Sequence, residues 1–198
     1  SHVSIQLGES GIIQVAQNSK LKALSLFEQG ACEFHLAQGK ALSRIDKLAK
    51  GGGYRIKTPT AIAAVRGTVF SVYYNDGVSA VATAKGVVQV TQVDTGKTAD
   101  VPMGAAAEVK EAIDLRDISG VEKLELEKVE IISLEKNLLE GGASLEEKTG
   151  GYIPKLEKID EEIEDLTPMT LDKIRDKFGR IDVVTLYSGK VYQGAIIS

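Results

Sequence analysis

The sequence predicts a mainly β protein that ends in a helical segment and a β-hairpin. Within residues 1–110, short apolar stretches alternate with polar positions and stop at turn residues such as Gly8 and Gly39, about every ten residues. From residue 114 onward, charged residues become dense and turn residues become rare. The turn spacing indicates a sandwich, roll or solenoid of short strands over residues 1–110. This change in composition indicates a second, smaller domain over residues 111–198.

The early strands alternate most clearly in GACEFHLAQG. There Cys32, Phe34 and Leu36 share the face that we expect to be buried. Cys32 is the only cysteine of the chain, so it cannot form an internal disulfide, and we interpret it as a small buried apolar residue. The stretch 41–50 breaks the alternation and is compatible with a helical turn or an irregular strand.

The strongest single strand prediction is Thr68–Tyr74, with the sequence TVFSVYY. Asn75-Asp76-Gly77 has the residue chemistry of a hairpin turn, so residues 78–84 should pair back. The same reasoning predicts shorter strands over residues 54–57, 61–65, 87–93, 98–101 and 105–109.

The acidic part of the chain is predicted to be largely helical. Residues 121–139 favour a helix, although Leu124-Glu125-Leu126-Glu127 alternates and is also compatible with the start of a strand. Apolar residues at three- and four-residue steps predict an amphipathic helix over 153–166, and a further helix over 167–179 ends at a glycine. Residues 181–197 predict a hairpin around Ser188-Gly189 that must dock on the helices or on a sheet edge.

Charge and composition exclude several function classes. The net charge of −4 divides unevenly, because residues 121–178 hold 16 acidic and 9 basic side chains while the rest of the chain is slightly basic. That surplus is not clustered, which argues against a nucleic-acid partner. No apolar run reaches about 18 residues, so no membrane span is predicted. The sequence shows no nucleophile elbow, phosphate loop or dinucleotide fingerprint, and two histidines with one cysteine make a poor metal set. We therefore predict no enzyme activity and no cofactor.

The segment TPTAIAAVRGTVFSV and the return strands that end in KGVVQV resemble the FecR-domain family. The positions that match its core pattern are Thr58, Pro59, Val65, Gly67, Thr68, Phe70, Val72, Val81, Gly86, Val88 and Val90. The resemblance extends over residues 3–110 and is strongest over 57–90, with Lys85 standing where the family usually has an acidic residue. It implies a roll or solenoid-like sandwich in the periplasm or cell envelope. Some members of the family relay a signal from an outer-membrane receptor to an anti-sigma factor.

The resemblance leads us to predict a non-enzymatic envelope protein that acts as a protein-interaction or signalling module. We expect an envelope protein partner, bound through a sheet edge or an exposed β face. A glycan- or peptidoglycan-binding protein on the same fold is the alternative. The sequence begins Ser-His-Val, so we expect an export signal or a lipid anchor to precede it in the native gene. A dimer that exchanges the last hairpin is a further hypothesis.

Three residues are candidates for a binding site. Arg66 precedes a Gly-Thr corner and would contact an anion or a partner. Tyr73 and Tyr74 are adjacent on one strand, so one of them must point outward, where a tyrosine is a typical interface residue. The acidic run 160–165 is interpreted as a solvated helix face.

Overall fold

The computed structural model describes residues 2–28, 31–46, 52–132, 153–167, 170–171, 175–176, 182–185 and 191–194. It confirms a mainly β fold with a helical segment. The strands are β1 (His2–Leu7), β2 (Gly11–Ala16), β3 (Lys20–Glu28), β4 (Ala31–Ile45), β5 (Tyr54–Lys57), β6 (Ala61–Val65), β7 (Val69–Asn75), β8 (Val78–Lys85), β9 (Val87–Gln92), β10 (Thr98–Pro102), β11 (Ala105–Val109), β12 (Ile113–Asp117), β13 (Asp182–Thr185) and β14 (Val191–Gly194). The helices are α1 (Gly120–Ile131) and α2 (Ile153–Leu166).

The long strand β4 belongs to two sheets. Its second half pairs with β2 on one side and β7 on the other, which gives a first sheet in the order β1-β2-β4-β7-β8-β11-β12. Its first half pairs with β3 and, in parallel, with β5, which gives a second sheet in the order β3-β4-β5-β6-β9-β10. β4 therefore fixes the position of the two sheets relative to each other.

Gly39 lies where β4 passes from the second sheet to the first. Its φ of +90° is a conformation that side-chain-bearing residues rarely adopt. A Cβ at this position would lie 2.6 Å from Cα of Ser19. The Ser19 hydroxyl accepts a hydrogen bond from the Lys40 amide at 2.9 Å, which holds the preceding turn against the bend. The prediction that Gly39 ends a strand is therefore wrong: the chain bends there and stays extended through Ile45.

The two sheets enclose one apolar core. The buried side chains that it draws from both sheets include Ile13, Phe70, Val72, Phe34, Leu36, Ile56, Val90 and Val101. The Tyr54 ring lies at its centre, 5.6 Å from the ring of Phe34 and 6.0 Å from that of Phe70. Cys32 is buried in the same core, as predicted. Because β4 belongs to both, the two sheets form one continuous 12-stranded sheet that is nearly closed around this core.

Helix α1 packs on the outer face of the first sheet. A second apolar cluster joins Leu126, Val129 and Ile132 to sheet residues that include Leu42 and Val69. The buried residues of the helix itself are Leu126 and Val129, while Leu124 and Ile131 are only half-buried. Lys128 of α1 forms an ion pair with Asp160 of α2, so the second helix lies against the first.

Both ends of α1 are capped by hydrogen bonds, one end locally and the other by the sheet. At the start, Ser119 and Glu122 form a capping box, in which each side chain accepts from the other residue's backbone amide. At the end, Nη1 of Arg44 on β4 donates to the carbonyl oxygens of Val129, Glu130 and Ile132, at 3.1, 2.9 and 2.6 Å. These carbonyls have no partner inside the helix. The sheet therefore determines where α1 lies and where it ends.

Two further sequence predictions differ from the structure. Strand β12 was not predicted, because its sequence IDLRD carries three charges in five residues; it forms by pairing with β11. Helix α1 stops at Ile131, and Ile132 is already extended, whereas the prediction continued to residue 139. Residues 133–139, most of the predicted helix 167–179 and the Ser188-Gly189 turn lie outside the described residues. The terminal hairpin is confirmed as β13 paired with β14.

Candidate binding face

The outer faces of the two sheets differ. That of the first sheet is covered by α1, whose contacts are with β2, β4, β7 and β8. That of the second sheet is open: the Arg55 side chain is 60% exposed and Val87 is 49% exposed. We call the outward side of the second sheet the open face. It is defined by Glu33, Arg55, Ala64, Gln89 and Asp100.

Strand register places these five residues in one row across the sheet. Glu33 pairs with Arg55, Arg55 with Ala64, Ala64 with Gln89, and Gln89 with Asp100. Paired residues on neighbouring strands point to the same side of a sheet. The row therefore has an acidic residue at each end, an arginine and an amide within, and the smallest side chain in the middle.

The missing bulk at the middle of the row produces a pocket of about 630 Å³. Its low floor comes from residues with little or no side chain: Ala31, Gly52, Gly53 and Ala64. Arg55 borders it on the β5 side, Arg66 follows Ala64 at the end of β6, and Val87, Gln89 and Asp100 border it on the side of β9 and β10. This size is in the range of small-ligand or peptide side-chain sites.

The charged groups of the open face are only partly paired. Glu33 accepts from Nζ of Lys57 at 2.6 Å, while its other oxygen is 4.0 Å from Nη1 of Arg55. Arg66 is exposed and, within the part of the chain that the structure describes, makes no ion pair. The pocket thus offers guanidinium donors that no carboxylate of the described residues saturates.

Arg66 owes its position to the glycine-threonine corner that the sequence singles out. Gly67 has a φ of +133°, and Thr68 is buried. Gly86 packs against the corner so closely that a Cβ there would lie 2.9 Å from the Gly67 carbonyl oxygen. The corner turns the chain from β6 in the second sheet to β7 in the first and leaves Arg66 at the pocket rim.

The tyrosine pair lies elsewhere. Tyr73 is 38% exposed and lies on the side of β7 that carries α1, whereas Tyr74 is half-buried against the main core. One of the two thus points outward, as expected from alternation. They stand at the far end of β7 from Arg66, roughly 20 Å along a strand of this length. The structure therefore does not bring the three candidate residues into one site.

Tyr54, which also lines the pocket, is a structural residue. Its hydroxyl lies 3.0 Å from the hydroxyl of Ser43 in the core, and its side chain is fully buried. Burial raises the pKa of the Tyr54 phenol above its ordinary value, and the hydrogen bond with Ser43 lowers it by less. The phenol therefore stays neutral and is available neither as a base nor as a stacking platform.

The described residues contain no group of three or more His, Cys, Asp or Glu side chains that would hold a metal ion. Neither helix among them is long and apolar enough to cross a membrane. What the open face presents is instead hydrogen bonding and charge: two guanidinium groups, one amide and one free carboxylate around a low floor.

Sequence reasoning found Arg66 and missed Arg55, Gln89 and Asp100. Each of these lies in an ordinary alternating strand, and only the pairing of β5, β6, β9 and β10 brings them together. Outward polar positions on those strands were visible in the sequence, but the order of the strands was not.

The fold and the sequence both have relatives. The family described as FecR protein matches residues 1–89. Two crystal structures of a protein named "putative anti-sigma factor", from Parabacteroides distasonis ATCC 8503, share the fold at TM-scores of 0.56 and 0.55, with 15% and 14% sequence identity. Each alignment covers 100% of this chain, and 95% and 96% of that protein. No curated protein matches the sequence of this chain. Residues 1–89, which hold most of both sheets, thus match the family described as FecR protein, in agreement with the resemblance seen in the sequence.

Proposed function

We propose that this chain is a non-enzymatic signalling module of the cell envelope that binds a partner protein through the open face. The observation that carries the proposal is the contrast between the two outer sheet faces. α1 covers one of them, and the other holds a pocket with unsaturated charged groups. The FecR family and the name of the structural neighbour both support a regulatory role.

The proposal includes the second, smaller domain over residues 111–198. Helix α1 acts in it as a fixed cover for the first sheet, because it is capped by the sheet at one end and by its own capping box at the other. A partner that bound the first sheet would have to displace this helix and expose its apolar stripe. The open face needs no such rearrangement.

The glycan-binding alternative receives less support from the open face. Sugar rings are commonly held against exposed aromatic faces, and the one aromatic residue among the described pocket residues, Tyr54, is fully buried. Binding of a protein segment needs only the donors, the carboxylate and the space that the pocket has.

A complementation experiment tests the proposal. Deleting the gene should change a set of transcripts, and the wild-type gene should restore them. Ala64→Tyr fills the pocket with a side chain that suits a strand, and we expect it to fail to restore them. Leu115→Tyr is the matched control, since Leu115 is an exposed strand position on the first sheet. Full restoration by Ala64→Tyr at normal protein level, or no transcript change on deletion, contradicts the proposal.

A further inference from the structure

The pocket of the open face holds two arginines whose hydrogen-bonding capacity is largely unused. A guanidinium has about five N–H donors in a planar fork that matches a carboxylate. Arg55 lies 4.0 Å from Glu33, beyond hydrogen-bond distance, because Lys57 already holds that carboxylate at 2.6 Å. Arg66 has no ion-pair partner among the described residues.

The two guanidinium groups border the same floor. Arg55 on β5 stands opposite Ala64 on β6, and Arg66 follows Ala64 by two residues. Both line the pocket together with Gly53. A group that entered above Ala64 would therefore meet donors from two directions, because the Ala64 side chain is too short to block it.

We propose that this pocket binds an acidic segment of the partner protein, with a carboxylate of that segment held between Arg55 and Arg66. The inference rests on the proposed function and names the chemistry of the partner at that site. Charge-assisted Arg–carboxylate bonds are roughly twice as strong as neutral ones, so these contacts would carry specificity as well as affinity.

Asp100 determines which way round an acidic segment would lie in the pocket. It ends the row on β10, three strands from Arg55, roughly 14 Å away at the usual strand spacing. Its carboxylate is exposed and, within the described residues, makes no ion pair. It repels an acidic group on that side of the pocket. The acidic side chain thus lies toward β5, and a neutral or basic part of the segment lies over Gln89 and Asp100.

The test uses the whole chain and two peptides: a short capped oligoglutamate and the matched oligoglutamine. We expect oligoglutamate to shift the backbone NMR signals of Arg55, Ala64 and Arg66, and oligoglutamine to leave them unchanged. Arg66→Gln should weaken oligoglutamate binding about tenfold, since it removes a charged hydrogen-bonding group. Asp100→Asn should tighten binding about twofold to threefold, because a like charge is lost.

Lys110→Gln is the matched control. It removes the same charge from an exposed turn residue near Gln92, at the opposite end of β9 from the pocket. Arg66→Lys keeps the positive charge but removes the planar guanidinium, and we expect an oligoglutamate affinity between those of the wild type and Arg66→Gln. Equal weakening by Arg66→Gln and Lys110→Gln, or peptide shifts on another surface, overturns the inference. So does inorganic phosphate that binds with the same shifts and affinity as oligoglutamate, because the pocket would then recognise a simple anion.

The two proposals fail differently. If Ala64→Tyr abolishes complementation while Arg66→Gln leaves oligoglutamate affinity unchanged, the open face is the functional surface and only the acidic-segment inference is overturned. If Ala64→Tyr complements fully, the functional assignment itself is wrong.

Discussion

Glu122 shows how single residues fasten the helical part to the sheet. Arg116 of β12 donates to both of its carboxylate oxygens, at 2.6 and 2.8 Å, and the Ser119 amide donates at 2.9 Å. Partial burial raises the pKa of the Glu122 carboxyl, but these hydrogen bonds together lower it by more, so that the resulting pKa is about 2. The Glu122 carboxylate therefore stays charged in the folded protein, and can accept these hydrogen bonds, down to a pH of about 2.

This pKa predicts a dependence of stability on pH. The folded-state value lies below the ordinary 4.5, so the stabilisation is complete above pH 4.5 and is lost as the pH falls toward 2. Glu122→Gln should cost about 1 kcal/mol of unfolding free energy at neutral pH, and much less near pH 2. Urea unfolding at both pH values measures the difference. The exposed Glu161→Gln on α2 is the control, and a Glu122→Gln cost that is the same at both pH values contradicts the assignment.

The residues of the open face illustrate what the sequence can and cannot show. Cys32, Phe34 and Leu36 are buried as their alternation predicts, since a period of two is a local property of a strand. Glu33 and Asp100 are 67 positions apart, and four strand pairings bring them into one row with Arg55. Those pairings depend on the whole sheet, so no local pattern contains them.

Among the elements, β4 connects the open face to helix α1. Its first half carries Glu33 on the open face, and its second half carries Lys40 and Arg44, which bind Glu125 and the last carbonyls of α1. The 15-residue strand is one continuous connection from the candidate site to the helix. The sequence predicts its first half well, whereas its continuation through Gly39 follows from a bend that only glycine makes without strain.

Gly39→Ala tests the importance of that bend. The substitution places a side chain at a φ of +90° and pushes its Cβ to within 2.6 Å of the Ser19 backbone. We expect a loss of about 2–4 kcal/mol in the free energy of unfolding. Gly77→Ala is the matched control, because Gly77 has a φ of +81° but no neighbour within 4 Å of its Cβ position, and about 1 kcal/mol is expected. Equal costs for the two variants in urea unfolding would show that the close approach of β4 to Ser19 is unimportant.

Strand β12 and the end of α1 mark the limit of element prediction. β12 has a polar sequence and depends on β11 for its hydrogen bonds. α1 ends where the Arg44 side chain, from a strand that is distant in sequence, donates hydrogen bonds to its last carbonyl oxygens. In both cases tertiary contacts decide the boundary, so the local sequence alone is insufficient.

At the scale of the whole molecule, two sheets share one core, one outer face is covered by a helix and the other is open. This asymmetry follows from the sequence: the outward residues Ile12, Leu42, Val69 and Ala82 of the first sheet are apolar and need a cover. Those of the second sheet are mostly charged, polar or small, with Ile62 and Val87 as apolar exceptions. The fold class was predictable from turn spacing and alternation. Which face stays open was not, because it depends on the strand order that collects these outward residues into two faces.

Site-specific photo-cross-linking in the native host is the most direct test of the central claim that the open face binds the partner. A photoreactive residue is placed either at Gln89 on the open face or at Lys123, an exposed position on α1. We predict a discrete adduct of one mass from position 89, absent when Ala64→Tyr is also present, and none from position 123. An adduct from position 123 with none from position 89 would contradict the claim.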